Sequence, residues 1–259
     1  MTQSAVAAPQ LSLLGGFELT CGTQQLQPCA SGQRLLAYLA VHSRERAVRR
    51  TALAERLWSQ VPPQRAASSL RSVLWRLPRP NGRPLVASTA VTLRLAPEVR
   101  VDLWTGEARA RTISATPPGP PCGGHEEATA LTAVASLTSD LLPDWCEDWL
   151  LVEQESYRQA RLHALEQLCA SLRAAGRYPA ALQAGFAAVQ CEPLRESAHR
   201  RVIEVHLAES NHGEALRQYQ SFRRLLADEL GLPPSAAIRR LVAPLLGRPV
   251  EAEPGGGEA

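Results

Sequence analysis

The chain has 259 residues, of which 45% are apolar, enough for one large or two small domains with an ordinary core. No apolar run approaches the ~18 residues of a membrane-spanning helix. The opening MTQSAVAAPQ has neither a basic n-region nor an apolar h-region, so a cytoplasmic protein without a signal peptide is expected. The net charge of +3 conceals an asymmetry: residues 1–111 hold 15 Arg against 6 Asp and Glu, residues 112–259 hold 13 Arg against 19, and lysine is absent. A basic half beside an acidic half points to a polyanion-binding part joined to something else.

In chain order, residues 1–10 read as a flexible tail. LSLLGGFELT (11–20) and QQLQP (24–28) read as short strands, broken at Gly15-Gly16 and at Cys21-Gly22-Thr23. From Ser31, a candidate N-cap, Leu35, Leu36, Leu39 and Ala40 take helical spacing. Thr51 is the candidate cap of a second helix, TALAERLW. PPQRAASSLRSVLWRLPRP (62–80) then carries four arginines and no acid. Proline is tolerated in a first turn, so a third helix starts near Pro63 and stops near Leu77, before Pro78 and Pro80. PLVASTAVTLRL (84–95) reads as two strands around a turn. The order strands, three helices, hairpin is that of a winged helix-turn-helix, expected over residues 11–96.

Residues 112–127, TISATPPGPPCGGHEE, are rich in Pro and Gly and read as an exposed loop. Helices are then expected near 147–174, 178–190, 195–209, 213–229 and 234–245, within a domain spanning 97–246, and residues 247–259 have the composition of a disordered tail. Ala164/Ala198, Leu168/Val202, Ala174/Ala208, Ala181/Ala215 and Leu182/Leu216 are each 34 residues apart, and GRYPAAL aligns with NHGEAL in that frame. This period, with small residues where helices approach, is a tetratricopeptide signature. The fold class expected is therefore mixed: an α+β winged helix-turn-helix domain followed by an all-α tetratricopeptide-like domain.

On a helical wheel Leu70, Val73, Leu74 and Leu77 share a stripe that must face a core. Arg65, Ser68, Ser72, Trp75, Arg76 and Arg79 fall opposite. Guanidinium and hydroxyl groups suit phosphate oxygens and base edges, and an arginine can take O6 and N7 of guanine together. The later helix of a helix-turn-helix enters the major groove. The candidate DNA-binding residues are therefore Arg65, Ser68, Arg71, Ser72, Trp75, Arg76 and Arg79 on and just after this helix, with Arg34, Arg49, Arg50, Arg83 and Arg94 on the backbone. The six cysteines form no CxxC unit and no His stands at zinc-finger spacing from them, so reduced, mostly buried thiols and no metal are expected. GxSxG, HExxH and Walker sequences are missing, so neither an enzyme nor a cofactor is expected. The other binding-module reading is a helical-repeat adaptor for a peptide.

GQRLLAYLAV, TALAERLW and PPQRAASSLRSVLWRL in the first half resemble the Streptomyces antibiotic regulatory protein family. So do LLPDWCEDWLLVEQESYRQARLHALEQL, AAGRYPAALQAGFAAVQCEPLRESAHR and EALRQYQSFRRLLADELGLPPS in the second. The resemblance covers roughly residues 11–245. It implies an OmpR-like winged helix with recognition helix 63–77 and wing 85–95, then a bacterial transcriptional activation domain. It also implies an activator that binds direct repeats near promoters as side-by-side protomers, contacts RNA polymerase holoenzyme and controls secondary-metabolite genes. The chain departs from the family at Gly32, where Lys is frequent, and at Ala67-Ser68-Ser69, where Arg-Asn-Thr is frequent. Trp75 replaces a small polar residue, Pro78 a basic one, and the usual Gly-Tyr of the wing is absent.

Overall fold

The structure, a computed structural model, describes residues 7–115 and 124–247. Its contacts separate two units, Met1–Ala108 with Ser139–Gln159, and Arg109–Thr138 with Ala160–Ala259. No single boundary at residue 96 divides the chain this way.

In the first unit β1 (Pro9–Ser12) pairs antiparallel with β2 (Glu18–Cys21), placing Leu11 opposite Leu19. The reversal between them uses Gly15 at φ 84°, a conformation that costs glycine little. β3 (Gln24–Gln25) extends this sheet beyond β2, and β7 (Arg100–Val101) joins β1 in parallel. Pro9 and Gln10 are thus strand residues, which corrects the flexible tail expected over 1–10; residues 1–6 lie outside the described residues. After β7, Asp102 turns its carboxylate back on β1 and accepts from the amides of Leu13 (2.9 Å) and Leu14 (3.1 Å). Burial raises its pKa in spite of these bonds, which favour the charged form.

Three helices follow the first sheet strands: α1 (Ala30–His42), α2 (Arg50–Leu57) and α3 (Pro63–Arg76). The N-caps are Cys29 and Arg49, so Ser31 and Thr51 lie inside helices and neither expected cap forms. A second sheet has the order β4 (Val48–Arg49), β6 (Thr92–Leu95), β5 (Val86–Ser88), all antiparallel. Leu35, Leu36, Leu39, Leu53, Leu70, Leu85 and Leu93 fill the core between these elements, each at most 2% exposed.

The core of this unit is completed by residues distant in sequence. Gly15 donates its amide to Asp140 O (2.7 Å), Leu142 to Leu13 O (2.8 Å), and Leu14 bridges Leu141. Leu141, Leu142, Trp149, Leu150 and Tyr157 are buried in the same cluster as Leu11 and Leu13. Gln154 holds the turn through bonds to Leu141 O (3.0 Å) and Leu142 O (2.9 Å).

α4 (Asp102–Ala115) and α5 (Gly124–Leu137) cover both ends of the stretch 112–127 read as loop, so residues 112–115 and 124–127 are helical; residues 116–123 lie outside the described residues. α6 (Asp148–Ala174) begins in the first unit and continues into the second. There it is followed by α7 (Tyr178–Cys191), α8 (Glu196–Ala208), α9 (His212–Leu230) and α10 (Ala236–Leu246). The helices expected from Asp148 onward all form. Residues 248–259 of the expected tail lie outside the described residues.

The 34-residue frame holds in detail. Ala164 and Ala198 are fully buried, as are Ala181 and Ala215. Each repeat ends its first helix with a left-handed residue, Gly176 (φ 70°) and Ser210 (φ 61°), and closes the turn alike: Arg177 N to Leu172 O (2.9 Å) and Asn211 N to His206 O (2.8 Å). α7 packs so closely on α6 and α8 that a Cβ on Gly185 would stand 2.8 Å from Val202 Cγ2 and 3.3 Å from Cys169 Sγ. Arg161, fully buried, donates to Thr138 O (2.8 Å) just past the end of α5. Of the cysteines only Cys169 is fully buried among the described residues, its thiol pushed up to about 12 by desolvation, while Cys29 and Cys146 are exposed. The mostly buried set expected from sequence is thereby corrected.

Two outcomes follow. A fragment ending at Arg111 lacks the segment that completes its core and is expected to show no cooperative melt, whereas one ending at Gln159 melts cooperatively; equal melting would contradict the assignment. Ser210→Gly relieves a left-handed backbone that disfavours a Cβ and is expected to stabilise the chain by about 0.5–1 kcal/mol in thermal or urea unfolding. A lower midpoint would count against it.

Candidate nucleic-acid interface

α3 owes its start to Pro62-Pro63, since the first turn needs no amide from proline, and its end to Pro78. Leu77 still donates to Val73 O (3.1 Å) and then turns extended. Ala66, Leu70 and Val73 form the buried seam, and Leu77 is 8% exposed just beyond it, whereas Leu74 is only half-buried. Arg65, Ser68, Arg71, Ser72, Trp75 and Arg76 are exposed on α3, and Arg79 is exposed after it.

At 100° per residue these positions are not equivalent. Trp75 lies roughly 170° from the seam, with Gln64, Ser68, Arg71 and Ser72 on either side of it. Arg65 and Arg76 lie on one flank, roughly 100° from the seam. Gln64 is exposed and belongs to the outward line. Its side-chain amide carries neither the charge nor the hydroxyl by which the other candidates stand out in the sequence; its i, i+4 relation to Ser68 is the signal that marks it. Ser68 Oγ bonds Gln64 O (3.0 Å) and accepts from Arg71 Nη2 (3.0 Å), which orders the line along the helix.

The hairpin of β5 and β6 is fixed to the start of α2. Arg50 donates its amide to Val91 O (2.9 Å) and its guanidinium to Ser88 Oγ (2.7 Å) and Thr89 O (3.2 Å). Thr89 closes the turn, its hydroxyl accepting from Thr92 N (2.9 Å) and Val91 N (3.2 Å). Ser43 adds a buried tie: its hydroxyl donates to Leu39 O (2.6 Å) and accepts from Leu95 N (3.3 Å). Between α3 and the hairpin lies a cleft of about 430 Å³, lined by Arg50, Arg71, Trp75, Arg79, Leu85 and Val86 among others. Residues 56–97 carry seven arginines and no Asp or Glu, so the segment that supplies α3 and the hairpin is basic throughout.

Arg94 on β6 and Arg83 before β5 are exposed within this stretch, and Arg49 on β4, opposite Thr92 of β6, is exposed as well. Arg50 is half-buried and already engaged with the hairpin. Arg34 stands apart. It is half-buried on α1 and gives Glu147 a two-point pair, Nε to Oε1 at 2.6 Å and Nη2 to Oε2 at 2.7 Å. Glu147 also accepts from Trp149 Nε1 (3.0 Å), so this guanidinium is held inside its own unit. No cluster of three or more His, Cys, Asp or Glu side chains that could hold a metal occurs among the described residues. None of the described helices is long and apolar enough to cross a membrane.

Comparison with known proteins gives a family and a fold. Residues 101–246 match the family model of the bacterial transcriptional activator domain. The structure is similar to that of EmbR from Mycobacterium tuberculosis, solved in complex with a low-affinity phosphopeptide. The TM-score is 0.63 at 22% identity, over 95% of this chain and 67% of that one. No curated protein matches the chain. The likeness in structure carries the fold: a winged helix followed by an all-α, tetratricopeptide-like domain.

Proposed function

The chain belongs to the bacterial transcriptional activator domain family and is a transcriptional activator with the two-part build of the Streptomyces antibiotic regulatory proteins, and we infer that it acts by binding duplex DNA through α3 and the β5–β6 hairpin. α3 enters the major groove, where the outward line of Gln64, Ser68, Arg71, Ser72 and Trp75 meets base edges. Arg65, Arg76 and Arg79 on the flanks, with Arg49, Arg83 and Arg94 around the hairpin, neutralise phosphates. The observation that carries this reading is one helix with a buried apolar seam and an exposed, acid-free basic face.

The helical-repeat unit supplies the activating half of the function. In keeping with the family resemblance, it contacts RNA polymerase holoenzyme and holds protomers side by side on direct repeats. The targets are promoters of secondary-metabolite biosynthesis genes, read in the cytoplasm. The chemistry is regulatory binding and not turnover of a substrate.

Duplex affinity is expected to fall steeply with salt. If about six arginines each neutralise one phosphate, log K against log salt has a slope of roughly −5; a peptide adaptor would show no sequence-selective duplex binding, and a flat line would contradict the reading. Arg71→Ala is expected to weaken the best site by about 1–3 kcal/mol and to relax preference at one base position. Arg76→Ala should weaken all duplexes alike. Footprinting and competition titrations separate the two, and the reverse pattern would exchange their roles.

A further inference from the structure

Trp75 is 79% exposed, the largest exposure among the large apolar residues of the described chain. It is the last residue of the outward line of α3, roughly opposite the seam. Its neighbours on that line, Gln64, Ser68, Arg71 and Ser72, are polar, and among the described residues its indole N–H has no hydrogen-bond acceptor. Packing therefore does not explain an indole here: the hydrophobic effect disfavours leaving so much apolar surface in water. Trp75 also borders the cleft against the hairpin, and most of its indole is left as apolar surface that a partner bound to α3 can cover.

On the DNA-binding reading, which this inference presupposes, the partner surface is the floor of the major groove. That floor is polar except at one recurring group, the C5-methyl of thymine. We propose that Trp75 is a specificity-determining residue that reads thymine by covering its C5-methyl with the indole. Arg71 and Ser72 flank it and supply the polar contacts to adjoining groups. A phosphate contact would use only the indole N–H and leave the apolar faces wet. Trp75 lies about 16 Å along the helix from Gln64, so the thymine read would fall at one end of the half-site.

The test isolates the methyl group. A duplex is first enriched from a randomised pool with the full chain, and each thymine in it is then replaced singly by deoxyuridine, which lacks only the methyl. Affinities are measured by fluorescence anisotropy for the wild type, Trp75→Ala and Trp75→Phe. At one or two positions deoxyuridine is expected to weaken wild-type binding about fourfold, the equivalent of one buried methyl. Trp75→Ala should be indifferent at those positions and Trp75→Phe should keep part of the discrimination. Because the side chain is exposed, the variants fold as the wild type does, which circular dichroism checks. The proposal is overturned if deoxyuridine has no effect on the wild type, or if Trp75→Ala keeps the same sensitivity. A uniform loss of affinity in Trp75→Ala, independent of methyl content, would place the indole on the backbone and overturn it too. Failure to enrich any duplex would instead remove the DNA-binding reading on which it stands.

Discussion

The burial of one face of α3 governs what the other face can do. Ala66, Leu70 and Val73 are at most 6% exposed, and Leu77 follows them into the same core. Each fully buried leucine or valine contributes roughly 1.5–3 kcal/mol relative to exposure. Rolling the helix by half a turn would surrender that burial and force guanidinium groups into a core without carboxylates, which is costlier still. The orientation of Gln64, Arg71 and Trp75 is thus set by residues that never reach the surface. Gly32 sharpens the constraint. A Cβ there would lie 3.1 Å from Pro28 Cβ and 3.2 Å from Leu77 Cδ2, so α1 approaches the end of α3 as closely as a residue without a side chain permits. The family's frequent Lys at this position would need α1 or Leu77 to shift.

The hairpin is positioned by a different kind of constraint, polar and local. Arg50 spans from the first turn of α2 to Ser88 and Thr89, and its amide takes Val91 O. An arginine placed on the DNA backbone by its charge alone therefore does structural service, holding the wing to the helix-turn-helix. Arg34 shows the same lesson more strongly. Its partner Glu147 lies 113 residues away, so nothing in the vicinity of Arg34 announces the pair. Charge counting finds basic residues; it does not find which of them are already engaged.

Much of the architecture was legible because its signals are local. The helices after Asp148 carry 3.6-residue periodicity and are punctuated by Gly176, Pro193, Gly213 and Pro233-Pro234. The limits of α3 follow from proline chemistry. The 34-residue frame reappears in paired burial at Ala181 and Ala215 and in paired left-handed turns at Gly176 and Ser210. What was not legible depends on distant partners. β4 and β7 are two-residue strands that exist only through pairing with β6 and β1. The return of residues 139–159 to the first unit has no local signature, yet it buries Trp149 and Tyr157 beside Leu11 and Leu13. Around residues 112–127 the Pro and Gly content hid two helix ends, because helix-forming ALTAVASL lies just beyond the stretch that dominates the composition.

The central claim, that a buried seam aims one ordered line of side chains at base edges, is tested most directly by a crystal structure of the full chain on an enriched duplex. The account predicts α3 in the major groove with Gln64, Arg71 and Trp75 toward the bases, and with Ala66, Leu70 and Val73 buried as in the free protein. A complex in which α3 lies outside the groove while another surface holds the DNA would contradict it.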